Sequence, residues 1–180
     1  MRALVYIATS LDGYIADREG GVDWLHAVPN PEGSDFGFGQ FMASVDALLM
    51  GRNTFETVLG FDVPWPYDKP VYVASERLTA VPEALEGRAF LVRGSPAQLL
   101  EQLAEQGHGR VYVDGGRLIQ SFLAADLIDE LVLTRVPVLL GGGTPLFAKL
   151  ERALAWSHLD TTVHAGQLVM SRYRRARAES

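Results

Sequence analysis

A chain of 180 residues with 48% hydrophobic and 21% charged side chains is neither disordered nor fibrous. It is long enough to bury its own core as one domain, 1–180. The net charge of −6 gives no basic footprint for nucleic acid, and the absence of cysteine removes disulfides, thiolate nucleophiles and Cys-based zinc sites.

Residues 2–9 form a β-branched run that reads as a strand, without the small-residue cleavage pattern of a secretory leader. No segment approaches the roughly 18 to 20 apolar residues of a membrane span. A cytoplasmic location is therefore expected. Residues 20–34 hold three glycines and two prolines and predict a long irregular loop carrying Trp24. Phe38, Phe41, Met42 and Val45 fall at i, i+3, i+4 and i+7, one face of a helix starting near Ser34-Asp35. Residues 47–50 are a short buried strand. Gly51-Arg52-Asn53-Thr54 leads into a second helix, where Asn53 and Glu56 have the spacing of a capping box and Gly60 is a stop.

Residues 71–75 and 89–92 are further apolar runs of strand length. Ser95-Pro96-Ala97-Gln98 combines a good cap, proline at the first helical position and a glutamine that completes the box; Gly107 ends that helix. Residues 111–113 run as a strand into Asp114-Gly115-Gly116, followed by a helical stripe of Leu118, Ile119, Phe122 and Leu123. A strand at 131–136 precedes Gly141-Gly142-Gly143-Thr144-Pro145. Strands at about 155–163 and 167–174 close the chain as a hairpin. Alternating strands and helices imply parallel pairing through right-handed crossovers, with ligands at the carboxyl ends of the strands.

Two strand–glycine–helix turns could carry chemistry. At Gly51, a residue without Cβ admits a ligand close to the backbone, the following helix offers free N–H groups, and Arg52 and Thr54 add donors for a phosphate. Gly115-Gly116 has the same logic, so the pair suits a diphosphate gripped from two sides. No lysine follows the triple glycine in the position of an NTPase loop. His26, His108, His158 and His164 show no metal spacing, so no metal is expected. Asp35, ahead of Phe38 and Phe41, is the carboxylate expected in an apolar cleft, a setting that raises its pKa into a useful range.

Together these segments resemble the dihydrofolate reductase superfamily. Met50-Gly51-Arg52-Asn53-Thr54-Phe55-Glu56 is similar to its Met-Gly-Arg-x-Thr-aromatic-Glu signature, and 113–119 to its cofactor turn. The stretches 10–15 and 141–147 resemble the riboflavin-biosynthesis reductase (RibD C-terminal) branch and its stand-alone relatives. The resemblance implies a three-layer α/β/α domain, mostly parallel with a C-terminal antiparallel hairpin. It also implies NADPH and hydride transfer to a pterin-like or aminopyrimidine heterocycle, as in 5-amino-6-(5-phosphoribosylamino)uracil reduction. Gly51, Arg52 and Thr54 would hold the cofactor phosphates, with Gly115, Gly116, Arg117 and Leu118 opposite; Ser75 and Arg77 would meet the adenosine 2′-phosphate.

Asp35, sixteen residues before Gly51, matches the family's catalytic acid, with Thr134 beneath it. Trp24 and Thr134 are expected on the substrate. Gly39 stands where an aromatic residue is expected, and Asp68-Lys69-Pro70 where the folate-tail arginine is expected; both count against folate. Dihydrofolate reductase itself and a non-catalytic NADPH-binding protein are the alternatives. A homodimer is expected through the apolar run 136–140.

Overall fold

The structure is a computed structural model and describes residues 1–177. Its elements in chain order begin with β1 (Arg2–Thr9), β2 (Tyr14–Ala16), α1 (Phe38–Ala43), β3 (Ala47–Gly51), α2 (Arg52–Leu59), β4 (Val71–Ala74) and β5 (Ala89–Val92). They continue with α3 (Pro96–Glu105), β6 (Arg110–Asp114), α4 (Gly116–Ala124), β7 (Glu130–Arg135), β8 (Thr144–Pro145), β9 (Trp156–His164) and β10 (Leu168–Arg175).

Eight strands form one sheet in the order β5-β4-β3-β6-β1-β7-β10-β9. The first six are parallel, and the β9–β10 hairpin joins β7 antiparallel. The inner strands are continuous apolar runs because helices cover both faces. Leu99, Leu103, Ile119 and Phe122 of α3 and α4 pack one face against Val5, Leu49 and Val113. Phe55 of α2 and the aromatic residues of α1 pack the other against Leu4, Leu48, Met50 and Tyr112. The expected three layers are present. No helix among the described residues is long and apolar enough to cross a membrane.

Local starts follow the sequence where side chains reach their own backbone. Ser95 Oγ accepts from Gln98 N, and Gln98 Oε1 accepts from Ser95 N at 2.9 Å, a complete capping box. The box expected at Asn53 does not form. The helix begins at Arg52, with its cap at Gly51 two residues earlier than expected, so Asn53 is already inside it. Glu56 instead meets Arg52 at 3.2 Å, one turn back.

α1 also differs from expectation, starting at Phe38 rather than at Ser34-Asp35. The Asp35 carboxylate captures the N–H groups of Gly37 and Gly39 at 2.9 and 3.0 Å, holding an Asx-type turn in front of the helix. The apolar run 136–140 is covered largely from within. Val136 is buried with Trp24, Val28 and Leu168, Val138 and Leu140 pack on that cluster, and Pro137 and Leu139 stand out. An apolar contact with a second molecule through that run would rest mainly on Leu139.

Candidate active site

β3 and β6 are neighbours, yet their crossovers leave in opposite directions: α2 leads to β4 on one side and α4 to β7 on the other. Such a switch point opens a crevice at the carboxyl edge of the sheet. Both glycine turns stand there, with Met50 paired to Asp114 in register.

The two turns touch. Gly115 has φ +107°, a conformation side chains rarely adopt, and a Cβ built on it would lie 2.7 Å from Thr54 Oγ1 and 3.7 Å from the Gly51 N atom. A Cβ on Gly51 would meet nothing within 4 Å, so the backbone on that side is open to a ligand. The N-termini of α2 and α4 therefore face a shared opening with free N–H groups. The two predicted cradles, Gly51-Arg52-Thr54 and Gly115-Gly116-Arg117-Leu118, are brought together.

Ser75, at the end of β4, is buried, and its Oγ accepts from the N–H groups of Arg77 and Leu78 at 3.2 and 3.1 Å. The Arg77 side chain is exposed beside this turn. Arg93, not foreseen from the sequence, braces the turn by donating to the Ser75 and Leu78 carbonyls at 3.2 and 2.8 Å. Among the described residues Arg77, Arg93, Arg117 and Arg135, at the carboxyl edge, have no carboxylate partner. Arg2, Arg110 and Arg174, at the other end, all meet Glu130. Unpaired guanidinium groups on one edge make that edge an anion-attracting surface.

A second pairing closes the crevice from the side. β2 and β8 form a two-stranded sheet, and Asp12 accepts from Ser10 Oγ at 2.6 Å, Leu140 N at 3.1 Å and Gly141 N at 2.8 Å. These bonds hold its carboxyl below the ordinary range, the Ser10 hydroxyl contributing most. Ile15 sits over Gly116, its Cδ1 2.5 Å from where a Cβ would stand. The segments 10–15 and 141–147, remote in sequence, thus become one clasp beside the N-terminus of α4.

Below the edge, α1 and residues 66–69 border an open cleft of ≈ 580 Å³ lined by Phe38, Met42, Tyr67, Asp68 and Lys69. Tyr6, Phe38, Phe41 and Tyr112 pack together there, with ring centroids 5.0 Å apart for the tilted Tyr6–Phe41 pair and 5.1 Å for the edge-to-face Phe41–Tyr112 pair. Alternation along β6 puts Asp114 on the same face as Tyr112. Burial pushes the Asp114 carboxyl from 3.8 up to about 6, opposed by one N–H bond from Gly115. Tyr67, which lines the cleft, is pushed up to about 12 by burial and by the Asp114 charge.

Asp35 does not have the apolar setting expected of it. It is exposed, and the Gly37 and Gly39 N–H groups hold its carboxyl below the ordinary range. It lies near Tyr6, whose hydroxyl donates to the Phe36 carbonyl at 3.0 Å and whose pKa is raised by burial and then by Asp35. Thr134 is buried on β7, paired in register with Ala8, and among the described residues it makes no hydrogen bond to Asp35. Trp24 is buried in the Val136 cluster, with its indole N–H on the Gly21 carbonyl at 3.3 Å. Asp114 is the acidic residue that sequence reasoning passed over. Its signal was its place between a buried strand and two glycines.

A family model described as "RibD C-terminal domain" matches residues 4–169. The uncharacterized protein YwjB of Bacillus subtilis (strain 168) is 35% identical over 97% of this chain and 98% of its own length. A crystal structure from Shewanella sp. PV-4, of a protein named for riboflavin biosynthesis, is 50% identical with a TM-score of 0.95, covering 98% of this chain and all of that one. Dihydrofolate reductase from Enterococcus faecalis, solved with NADP(H), shares the fold at a TM-score of 0.67 and 17% identity, over 98% of this chain and 97% of that one.

Proposed function

The chain belongs to the RibD C-terminal domain family, and from that premise we propose that it is an NADPH-dependent reductase of a small pterin-like or aminopyrimidine heterocycle. Its reaction would be of the type that reduces 5-amino-6-(5-phosphoribosylamino)uracil. The observation that carries this reading is the contact between the two glycine turns, where Thr54 fills the place of a Gly115 side chain and the Gly51 backbone stays open. That cradle has the donors a diphosphate needs and no Cβ in its way. Gly51, Arg52 and Thr54 would hold one side of the diphosphate, and Gly115, Gly116, Arg117 and Leu118 the other. Ser75 and Arg77, braced by Arg93, would receive the adenosine 2′-phosphate.

NADPH, when bound, supplies the hydride. The protein's own task is then to position the heterocycle, exclude water and hold a proton near the nitrogen that becomes basic. Asp114 fits the proton role better than Asp35. A carboxyl with a pKa of about 6 holds its proton up to that pH and keeps a protonated share of about a tenth at pH 7, whereas one held below the ordinary range is ionised throughout. In this reading Asp35 shapes the loop before α1, Thr134 borders the heterocycle from β7, and Trp24 supports the adjoining loop from beneath. A homodimer belongs to the same proposal. Leu11, whose N–H donates to the Val138 carbonyl at 2.8 Å, and Leu139, next to Val138 in the chain, remain exposed and support an apolar contact there.

The test is a titration with NADPH and NADH, followed by nicotinamide oxidation with dihydropterin and aminopyrimidine acceptors. NADPH should bind the more tightly. Arg77→Ala should narrow the preference by about 1 to 2 kcal/mol, the scale of a charge-assisted hydrogen bond. Equal affinity of the wild-type protein for both nucleotides would refute the assignment of the 2′-phosphate site.

A further inference from the structure

We propose that Arg88, at the start of β5, receives the phosphate of a phosphorylated sugar tail at the lower end of the cleft between α1 and residues 66–69. This rests on the reductase reading for the identity of the site, and it adds the residue that reads the tail.

The topology gives the cleft a direction. α1 hands the chain to the amino end of β3, and residues 66–69 hand it to the amino end of β4. Both walls therefore descend from the carboxyl edge, where the two glycine turns stand, toward the opposite edge of the sheet. A ligand with its ring against Phe38 and Tyr67 would send its tail down past Met42 and Ala43 toward Lys69.

An anionic tail needs a free cation at that end. Lys69 lines the cleft, but its ammonium donates to the Met42 and Val45 carbonyls and is spent on the negative end of α1. Arg88 comes from the neighbouring strand. Val71 of β4 pairs with Ala89 of β5, and Arg88 is fixed just ahead of that pair. Its N–H donates to the Leu85 carbonyl at 2.9 Å, and its carbonyl accepts from Val71 N at 3.0 Å. From there the guanidinium reaches the Tyr67 carbonyl at 3.4 Å. Tyr67 lines the cleft, so this contact brings the positive charge up to its wall. The sequence has Asp68-Lys69-Pro70 where a tail-binding arginine is expected, and the fold supplies an arginine to the same wall from the next strand.

Arg88 is also available. It is exposed and has no carboxylate partner among the described residues, although Glu83 and Glu86 stand exposed in the turn before it. Its side-chain bond to Tyr67 is longer than an ordinary N–H···O bond and is easily exchanged. A phosphate could accept two N–H groups from the guanidinium fork, a stronger and more directional pairing. Two carboxylates oppose it. Asp35 has already taken the Gly37 and Gly39 N–H groups, higher on the α1 wall. Asp68 is exposed on the lining, so water and salt screen it, and its charge works against the tail from the same wall.

The experiment measures Kd by calorimetry for 5-amino-6-ribosylaminouracil and for its 5′-phosphate, with and without NADP. It uses the wild-type protein, Arg88→Gln, Arg88→Lys and Asp68→Asn. The wild type should bind the phosphate about tenfold more tightly than the nucleoside at low salt, a preference that shrinks as salt is added. Arg88→Gln should weaken the phosphate about tenfold and leave the nucleoside within about twofold. Its melting temperature and NADPH affinity should not change, because the residue is exposed and lies away from both glycine turns. Arg88→Lys should recover part of the loss, keeping the charge without the fork. Asp68→Asn should tighten the phosphate by about two- to threefold.

The proposal is overturned by a wild type that does not prefer the phosphate, by an Arg88→Gln protein that weakens both ligands alike or neither, and by failure of both ligands to bind. The reductase reading is scored separately by the nucleotide titration. A protein that ignores NADPH sinks that reading, while the phosphate-to-nucleoside ratio measured without nucleotide still decides this one.

Discussion

Asp114 makes the site costly to fold, and the cost can be measured. Its carboxyl is lifted by burial from 3.8 to about 6 in the folded protein. Between those two values the unfolded chain has released the proton while the native chain keeps it. Folding in that window takes up a proton, so stability falls as pH rises. The loss is complete once pH exceeds the folded pKa. A difference of about two units is worth about 3 kcal/mol, a large share of a small domain's stability. Asp114→Asn keeps the shape and can still accept the Gly115 N–H bond, but it cannot ionise. Urea unfolding of both proteins from pH 4 to 8 should give curves that lie close near pH 4 and separate by about 3 kcal/mol above pH 6, the variant being the more stable. The depressed carboxyls of Asp12, Asp35, Asp46, Asp126 and Asp160 titrate below this window, and the subtraction cancels them. The same variant should turn over about 10²-fold more slowly, the usual contribution of a positioned acid. A stability difference that does not change between pH 4 and 7 would refute the burial argument. Wild-type turnover would refute the proton role.

Asp35→Asn should slow turnover by less than about tenfold, because the Asn oxygen can still hold the Gly37 N–H; a loss of about 10²-fold or more would return the acid role to Asp35. Gly115→Ala should weaken NADPH binding by at least about tenfold and cost about 1 to 3 kcal/mol of stability, since it combines a disfavoured φ with a clash on Thr54. Calorimetry and thermal melts read both effects, and unchanged affinity would mean that the turns do not grip the nucleotide. Asp126→Ala leaves the buried Arg175 guanidinium without its carboxylate, which it meets at 2.7 and 3.0 Å, and should cost about 2 to 4 kcal/mol in urea unfolding. A loss below about 1 kcal/mol would show that the carbonyls of Ala155 and Ala176 satisfy Arg175 by themselves.

The strands were legible because a parallel sheet covered on both faces writes itself as short apolar runs. The expected ranges 2–9 and 89–92 coincide with β1 and β5. The start at Ser95 was legible because its capping partners are three residues apart and nothing distant competes. Asp35 and Asn53 misled for one shared reason. A polar side chain near a helix start can bond the backbone as a cap, as a turn ahead of the helix, or not at all, and spacing alone does not separate these outcomes. At Asp35 the turn won, held by two N–H groups, with Phe36 at φ 54° and Gly37 at φ 82°. At Asn53 the glycine before it had already started the helix.

The chemistry of the cleft was hidden for a different reason: it depends on which partners a charge has already taken. Asp114 could be read as the end of a strand before a turn, but its pKa is raised by burial, which only the folded packing creates, and its charge in turn acts on Tyr67, forty-seven residues away in the chain. Lys69 lies in the stretch that stands where the folate-tail arginine is expected, and its ammonium is committed to the Met42 and Val45 carbonyls. Counting charges along the sequence gives one positive and one negative at Asp68-Lys69. After the fold has formed, the ammonium is held by the helix carbonyls while Asp68 stays exposed. It is the leftover charge, not the composition, that a ligand meets.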